Sequence, residues 1–259
     1  GPRVRVIDHD GHEHVGDPIA HAAAVLRAGR VLAIKGLGGY HLAVDATNHE
    51  AVALLRARKH RDHKPFAVMV DSLATARELV DLSHAGVEAI TGTQAPIVLA
   101  TRRDVRDARC VIALDVAPAM HRLGVMLAHT PIQHLLMREG FRALVMTSAN
   151  ASDDPLITDD AEALRRLADV ADAWLVHDRA IARAVDDSVI IDGPDGLVPI
   201  RRARGHVPSP IRLHSPAAEP GLCVGAELKS VVAVGPGDQA HPSQHLGNLQ
   251  HAPAYARFS

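Results

Sequence analysis

A chain of 259 residues with 47% hydrophobic side chains can bury a sizeable core, but aromatics at 2% mean that Leu, Val, Ile and Ala must build it. Twenty-eight Lys and Arg against 30 Asp and Glu leave a formal charge of −2, which argues against a general nucleic-acid binder. No run approaches the ~20 apolar residues that span a bilayer, and no signal peptide opens the sequence. Cys110 and Cys223 are too far apart to suggest a disulfide framework, so a reduced, cytoplasmic protein is expected.

Residues 1–14 read as a linker segment into a domain covering 15–213. Asp17-Pro18 is an N-cap followed by Pro at the first helical position, and Gly29 closes that helix. Val31 to Lys35 reads as a buried strand entering the turn Gly36-Leu37-Gly38-Gly39. Asn48 caps a helix that runs through Leu54 and Leu55 into the basic stretch Arg56 to Lys64. Phe66 to Val70 is the next strand, and Ser72 caps the helix after it. Pro96 to Ala100 and Leu123 to Leu127 are strands, and Thr130-Pro131 opens a helix that Gly140 ends. Ala143 to Thr147 is a strand leading into Ser148-Ala149-Asn150. Asp159, with Glu162 three residues on, has the pattern of a capped helix start. Trp174 to Val176, Ser188 to Ile191 and Val198 to Arg201 are the last strands of the domain. This alternation defines an α/β fold with a mixed sheet and flanking helices.

The composition shifts after this domain. Pro208 to Pro220 holds four prolines in thirteen residues, with the linker proper placed at 214–220. Leu222 to Gly225 and Val231 to Val234 then form a hairpin in a β-rich piece, 221–259, that is too short for a core of its own. It is expected either to lean on the larger domain as a partial sheet or to be mobile. The 18 histidines are scattered and mostly suit surface positions. His241 and His245 have helical metal-site spacing, but Pro242 between them opposes a helix, so no metal site and no structural zinc are expected.

Four clusters at strand or helix ends carry chemistry. Lys35 to His41 is a glycine turn whose N–H groups either meet an anion or simply close the strand; Lys35, Tyr40 and His41 are its candidate side chains. Five basic residues fall between Arg56 and Lys64, including Lys59, Arg61 and Lys64, either as a solvated helix end or as an anion site. Thr147, Ser148 and Asn150 offer small donors that suit phosphate oxygens or a turn. Asp186, Asp187 and Ser188 accompany Arg201, Arg202 and Arg204, whose forks suit phosphate or carboxylate.

In combination, LGGYHLAVDATN, RARKHRDHKPFAVMV, LGVMLAHTPIQHLL, LVMTSAN, HDRAIARAVDDSVI and RRARGHVPSPI resemble the YrdC domain in its HypF variety. Lys59-x-Arg61 and Ser148-x-Asn150 match the signature pairs of the wider YrdC and threonylcarbamoyl-adenylate synthase family. Gly1-Pro2-Arg3 resembles the residues just after the last zinc-finger cysteine of HypF proteins, and VGAELKSVVAVGPG through SQHLGNL resembles the opening of their carbamoyl-transfer domain. The resemblance implies a YrdC-like open twisted sheet and then the start of an incomplete second domain, as in an excised piece or a truncated relative.

It also implies ATP and Mg²⁺ as cofactors, and an adenylate-forming carbamoyltransferase step. Carbamate from carbamoyl phosphate would attack ATP, giving carbamoyl-adenylate and pyrophosphate. The carbamoyl group would then pass to the C-terminal cysteine of a HypE-type partner for [NiFe]-hydrogenase maturation. Lys59 and Arg61 take the catalytic positions. Lys35, Tyr40, His41, Lys64, Thr147, Ser148, Asn150, Asp187, Ser188 and one of Arg202 or Arg204 bind ATP or carbamate. The chain departs from the family's pattern at Ala128-His129, Gln133-His134, Asp153 and Asn248, the last in place of an aspartate. Competing readings are a threonylcarbamoyl-adenylate synthase for tRNA modification, a double-stranded RNA-binding module and an inert scaffold.

Overall fold

Helices begin where the side chains that can cap them stand. Asp17 accepts from the Ile19 and Ala20 amides at the start of α1 (Pro18–Arg27), and Asn48 from Ala51 in α2 (His49–Arg58). Ser72, Ser83 and Asp159 do the same for α3 (Leu73–Leu79), α4 (His84–Thr91) and α6 (Asp160–Arg166). Thr130 and Gln133 form a reciprocal capping box at α5 (Pro131–Arg138). Each such cap contributes about 1 kcal/mol. The structure is a computed structural model describing residues 1–61, 63–103, 110–150, 156–250 and 252–258; Asp153 lies outside them.

The strands of the main sheet are β1 (Val4–Asp8), β2 (Leu32–Lys35), β3 (Tyr40–Asp45), β4 (Ala67–Val70), β5 (Val80–Asp81), β6 (Ile97–Arg102), β7 (Arg122–Leu127), β8 (Ala143–Ser148), β9 (Ala173–His177), β10 (Val189–Gly193) and β11 (Gly196–Arg201). Their order is β1-β9-β2-β3-β8-β4-β7-β6-β10-β11, with β5 beside β6. The β9–β2, β4–β7 and β6–β10 pairs are parallel and the others antiparallel, so the sheet is mixed.

Strand residues alternate between two faces. Ala33, Leu42, Val44, Val68, Val125 and Val145 face a core closed by Val52 and Leu55 of α2, Leu79 of α3 and Ile90 of α4. Leu32, Ile34, Ala43, Met69, Leu144 and Met146 face the opposite core, closed by Ala22 and Leu26 of α1 and by Leu136 of α5. Aliphatic packing on both faces matches the scarcity of aromatics.

Two segments differ from expectation. Within the expected linker 1–14, Val4–Asp8 is an edge strand paired in full register with β9. The proline-rich segment contributes β12 (Ile211–Arg212), which pairs with β15 (Gln239–Pro242). With β13 (Gly221–Val224) and β14 (Val232–Gly235) these make a separate sheet ordered β12-β15-β14-β13, followed by α7 (Ala252–Phe258). The tail is thus a small antiparallel sheet leaning on the larger domain, the first of its two expected forms, and the Gln244 amide donates to the Ala184 carbonyl of that domain at 2.7 Å. His241 lies in β15, so the His241–His245 pair has no helix to share.

Candidate functional site

Lys59 stands at the C-cap of α2, where the helix would otherwise expose it. The Arg61 backbone instead turns back to the Arg56 carbonyl, and the Lys59 side chain runs inward to 9% exposure. Its Nζ donates to the Ser148 carbonyl at 2.6 Å and to that of Asn150. An ammonium has three donors, so one remains for a ligand. Burial, followed by the charges of Arg61 and Lys64, pushes this amine down to about 7.

Arg61 donates to the carbonyls of Lys64 and Pro65 and to the Thr147 hydroxyl, and its guanidinium lies 5.0 Å above the Phe66 ring centre. Burial first, then Arg56 and Arg201, lowers it to about 10, which still leaves it charged at neutral pH. Across the opening, the Ser148 hydroxyl donates to Asn150 Oδ1 at 2.6 Å, pre-setting the loop after β8.

These groups share a cavity of about 320 Å³. Among the described residues six cations line it, Lys59, Arg61, Lys64, Arg201, Arg202 and Lys229, against one carboxylate, Asp186, which lies 3.7 Å from Arg201. Arg202 donates through Nη2 to the His206 and Ser209 carbonyls, while its Nη1 is buried with no hydrogen-bond partner among the described residues. Such a site suits a polyanion.

Lys59, Arg61, Lys64, Ser148, Asn150 and Arg202 are thus brought together, and Thr147 supports Arg61 from behind. Other expected site residues lie elsewhere. Lys35 is paired with Asp160 at 2.6 Å and donates to the His177 carbonyl, while the Tyr40 hydroxyl donates to the same Asp160 oxygen. Burial, with that hydrogen bond, drives the Tyr40 pKa upward. The Ser188 hydroxyl donates to the Arg204 carbonyl and accepts from the Ala203 amide, and is fully enclosed. Arg204 forks onto Asp187 at 2.9 Å and reaches the Gln94 and Ala95 carbonyls.

Asp187 also bonds His41 Nε2 at 3.2 Å. Burial opposes its ionisation, but the hydrogen bond and charge of His41, with Arg204 and His129, outweigh it and hold the carboxyl below the usual range. Nearby His129 is pushed down to about 4 by burial and then by Arg204. Gln133 serves the Thr130 cap. The glycine turn is likewise internal: the Gly36 amide bonds the Gly39 carbonyl, and the Tyr40 amide bonds that of Ile157. A Cβ on Gly38 would lie 2.2 Å from the Val185 carbonyl oxygen, so glycine is required there by close approach.

The groups that the tail contributes were not among the expected site residues. Lys229, His245 and Asn248 line the cavity alongside the basic residues of the larger domain. Their only signal is membership in the VGAELKS and SQHLGNL segments; nothing local announces that they face Lys59.

Residues 24–203 match the telomere recombination family of Sua5, YciO and YrdC, and residues 216–259 match the HypF Kae1-like domain. The chain belongs to the Sua5–YciO–YrdC family, in the arrangement that joins this domain to a HypF Kae1-like segment. Among curated relatives, carbamoyltransferase HypF of Rhodobacter capsulatus is 44% identical over 262 residues, covering 100% of this chain and 34% of the relative. Carbamoyltransferase HypF of Synechocystis is 42% identical over 233 residues, covering 90% and 30%. The chain thus spans about a third of the length of these relatives. A crystal structure of full-length HypF in a phosphate- and nucleotide-bound form is 36% identical with a TM-score of 0.90, covering 100% of this chain and 33% of that one. Sua5 of P. abyssi complexed with L-threonine, at 18% identity and TM-score 0.61, covers 72% of this chain and 54% of that one and shares the fold alone. No helix among the described residues is long and apolar enough to cross a membrane.

Proposed function

We propose that this cavity makes carbamoyl-adenylate, the activation step of a HypF-type carbamoyltransferase in [NiFe]-hydrogenase maturation. An oxygen of carbamate attacks the α-phosphorus of ATP, the bond from that phosphorus to the bridging oxygen breaks, and pyrophosphate leaves with the electron pair. The observation that carries this reading is the cavity wall, where the described residues set six cations against one carboxylate. Phosphoryl and nucleotidyl transfers need positioning and charge neutralisation more than a covalent nucleophile. Protonated Lys59, fixed by two carbonyls, turns its remaining N–H to a phosphate or carbamate oxygen. Arg61 and Arg202 neutralise the chain of phosphates, and Ser148 and Asn150 orient it.

The donor set fits Mg²⁺ carried in with ATP: one carboxylate, Asp186, with the oxygens of Ser148 and Asn150, suits an ion held mainly by phosphate and water. Its chemistry there would be charge neutralisation. Transfer onward to the cysteine of a HypE-type partner belongs to the same proposal. That HypF relatives are named carbamoyltransferases, one of them solved with phosphate and nucleotide bound, supports it.

The test is pyrophosphate release from ATP and Mg²⁺ with carbamoyl phosphate and a separate acylphosphatase as the carbamate source. Release that depends on carbamate is the expected result. Release that instead requires threonine and bicarbonate would move the assignment to the threonylcarbamoyl-adenylate synthases. A shift of double-stranded RNA at physiological salt, without any pyrophosphate release, would favour the RNA-binding reading.

A further inference from the structure

Arg61 owes its placement to groups that lie outside the cavity wall. Three Phe, two Tyr and one Trp are all the aromatics of the chain, and one of them sits beside two guanidinium groups at once. Phe66 is 1% exposed, with Cζ of Arg56 4.6 Å from its ring centre and Cζ of Arg61 5.0 Å from it. Like charges gathered on one ring repel: after burial, the charge of Arg56 is the next cause that lowers Arg61. The negative face of an aromatic ring offsets part of that repulsion, and an aliphatic side chain of similar size has no such face.

Hydrogen bonds complete the support. Arg56 donates to the Asp115 carbonyl through Nε at 3.1 Å and also through Nη2. Its Nη1 donates to the carbonyl of Arg61 and, at 3.3 Å, to that of Lys64. The Lys64 carbonyl also accepts from Arg61 Nε at 3.1 Å, so the two arginines share it. The Phe66 amide donates to the Val116 carbonyl at 2.8 Å, which ties the same segment to the 3-10 turn Leu114–Val116. Arg61 itself spends Nη1 on the Thr147 hydroxyl at 3.1 Å and Nη2 on the Pro65 carbonyl at 2.7 Å. A guanidinium has five N–H groups, so these bonds leave one on each terminal nitrogen for a ligand. Arg61 lines the cavity, whereas Arg56 and Phe66 are not among the described residues that line it.

We propose that Phe66 and Arg56 are positioning residues for Arg61: the ring face and the carbonyl-holding fork fix the guanidinium so that its two remaining N–H groups meet phosphate oxygens. The inference rests on the nucleotide reading above and deepens it, because part of the affinity is then set by a ring that touches no ligand. An arginine free to sample its rotamers would lose that freedom on binding; one already held by a ring and a fork does not.

The experiment is calorimetric titration of the whole chain with MgATP, each protein also being followed through thermal unfolding. Wild type is compared with Arg61→Ala, Phe66→Leu, Arg56→Lys and a protein whose residue 66 is phenylalanine bearing three ring fluorines. The fluorinated ring nearly keeps its shape but loses most of its negative face, and it is made in the Arg61→Ala background as well. Arg61→Ala should weaken ATP at least tenfold. The fluorinated ring should weaken ATP roughly three- to fivefold beside Arg61 and have no effect in Arg61→Ala. Phe66→Leu should weaken ATP at least as much and also unfold at a lower temperature. Arg56→Lys keeps the charge without the fork and should weaken ATP severalfold. If Arg61→Ala weakens ATP while the fluorinated ring binds as wild type, the role of Phe66 is wrong and the nucleotide reading stands. Unchanged affinity in Arg56→Lys would remove Arg56 from the device in the same way. A fluorination loss of equal size with and without Arg61 would make the ring structural and overturn the proposal. Wild type that binds no ATP, or Arg61→Ala that binds it as wild type does, would sink both readings.

Discussion

Two buried lysines, one on each side of the glycine turn, separate a supporting role from a binding one. Lys35 is 5% exposed and Lys59 9%, so burial alone does not distinguish them. Lys35 has a carboxylate, Asp160, at 2.6 Å, with the Tyr40 hydroxyl completing the network. Among the described residues Lys59 has only carbonyl oxygens for partners and two further cations for neighbours. A paired charge stabilises a junction; an uncompensated one beside an opening waits for an anion. The difference lies in what the rest of the chain brings to each ammonium.

The sharpest test removes each charge in turn. Lys59→Ala should lower ATP affinity ten- to hundredfold, or about 1.5–3 kcal/mol, measured by calorimetry, with little change in stability because repulsion from Arg61 and Lys64 is relieved. Lys35→Ala should do the reverse. Asp160 and Tyr40 lose their partner, and denaturant unfolding should show a loss of about 2 kcal/mol with ATP affinity near wild type. Equal effects of the two substitutions on affinity would erase the distinction.

The pH dependence sharpens it further. Lys59 is held at about 7, below the ordinary lysine value, so it loses its proton as pH rises through neutrality. ATP affinity should therefore fall from pH 6.5 to 8.5, by up to about tenfold per unit, and Lys59→Arg should flatten the profile because arginine stays charged. The stability consequence has the opposite direction. A lysine with a depressed folded pKa opposes folding when protonated in both states, below about pH 7, and that penalty shrinks as pH rises toward the unfolded value of ~10.4. Unfolding measured between pH 7 and 10 should show Lys59→Met losing part of the wild-type rise in stability.

Asp187→Asn probes the supporting class again. It removes the charge that Arg204 and His41 share and should cost about 2 kcal/mol in denaturant unfolding. Its carboxyl is held below the usual range, so its contribution is present above a pH of ~4 and is lost only as pH falls into strong acid. The smallest effect is expected of Arg202→Lys. It keeps the charge, loses the fork and should weaken ATP about threefold by calorimetry.

What the sequence made legible was local. Asp17, Asn48, Ser72, Thr130 and Asp159 each act within four residues of themselves, and each helix starts where expected, while the return bond from Gln133 to the Thr130 cap was not anticipated. The basic run and the Ser148-x-Asn150 pair were visible as chemistry, and they meet in one cavity. Roles set by distant partners were not visible. Asp160, which takes Lys35 and Tyr40, is more than a hundred residues away from both. Val4–Asp8 looked like a linker because its partner strand, β9, comes near the other end of the domain. The alternating Val4, Val6 pattern was its one local signal. The tail's Lys229 and Asn248 enter the site only through tertiary placement.

The approach of Gly38 to the Val185 carbonyl has a mechanical consequence. Residue 38 has no side chain to offer a substrate, yet it acts as a spacer between the turn and the segment 184–188. Adjacent residues of that segment face different duties: Asp186 toward the cavity, Asp187 toward His41 and Arg204. A methyl group at 38 would have to move that backbone, since the obstacle is a carbonyl oxygen instead of a flexible side-chain tip. The displaced segment would take both aspartates with it, one out of the binding wall and one out of its clamp. Any redesign of this cavity should hold position 38 fixed and vary the cations, because the spacing of the wall is set where no side chain is visible.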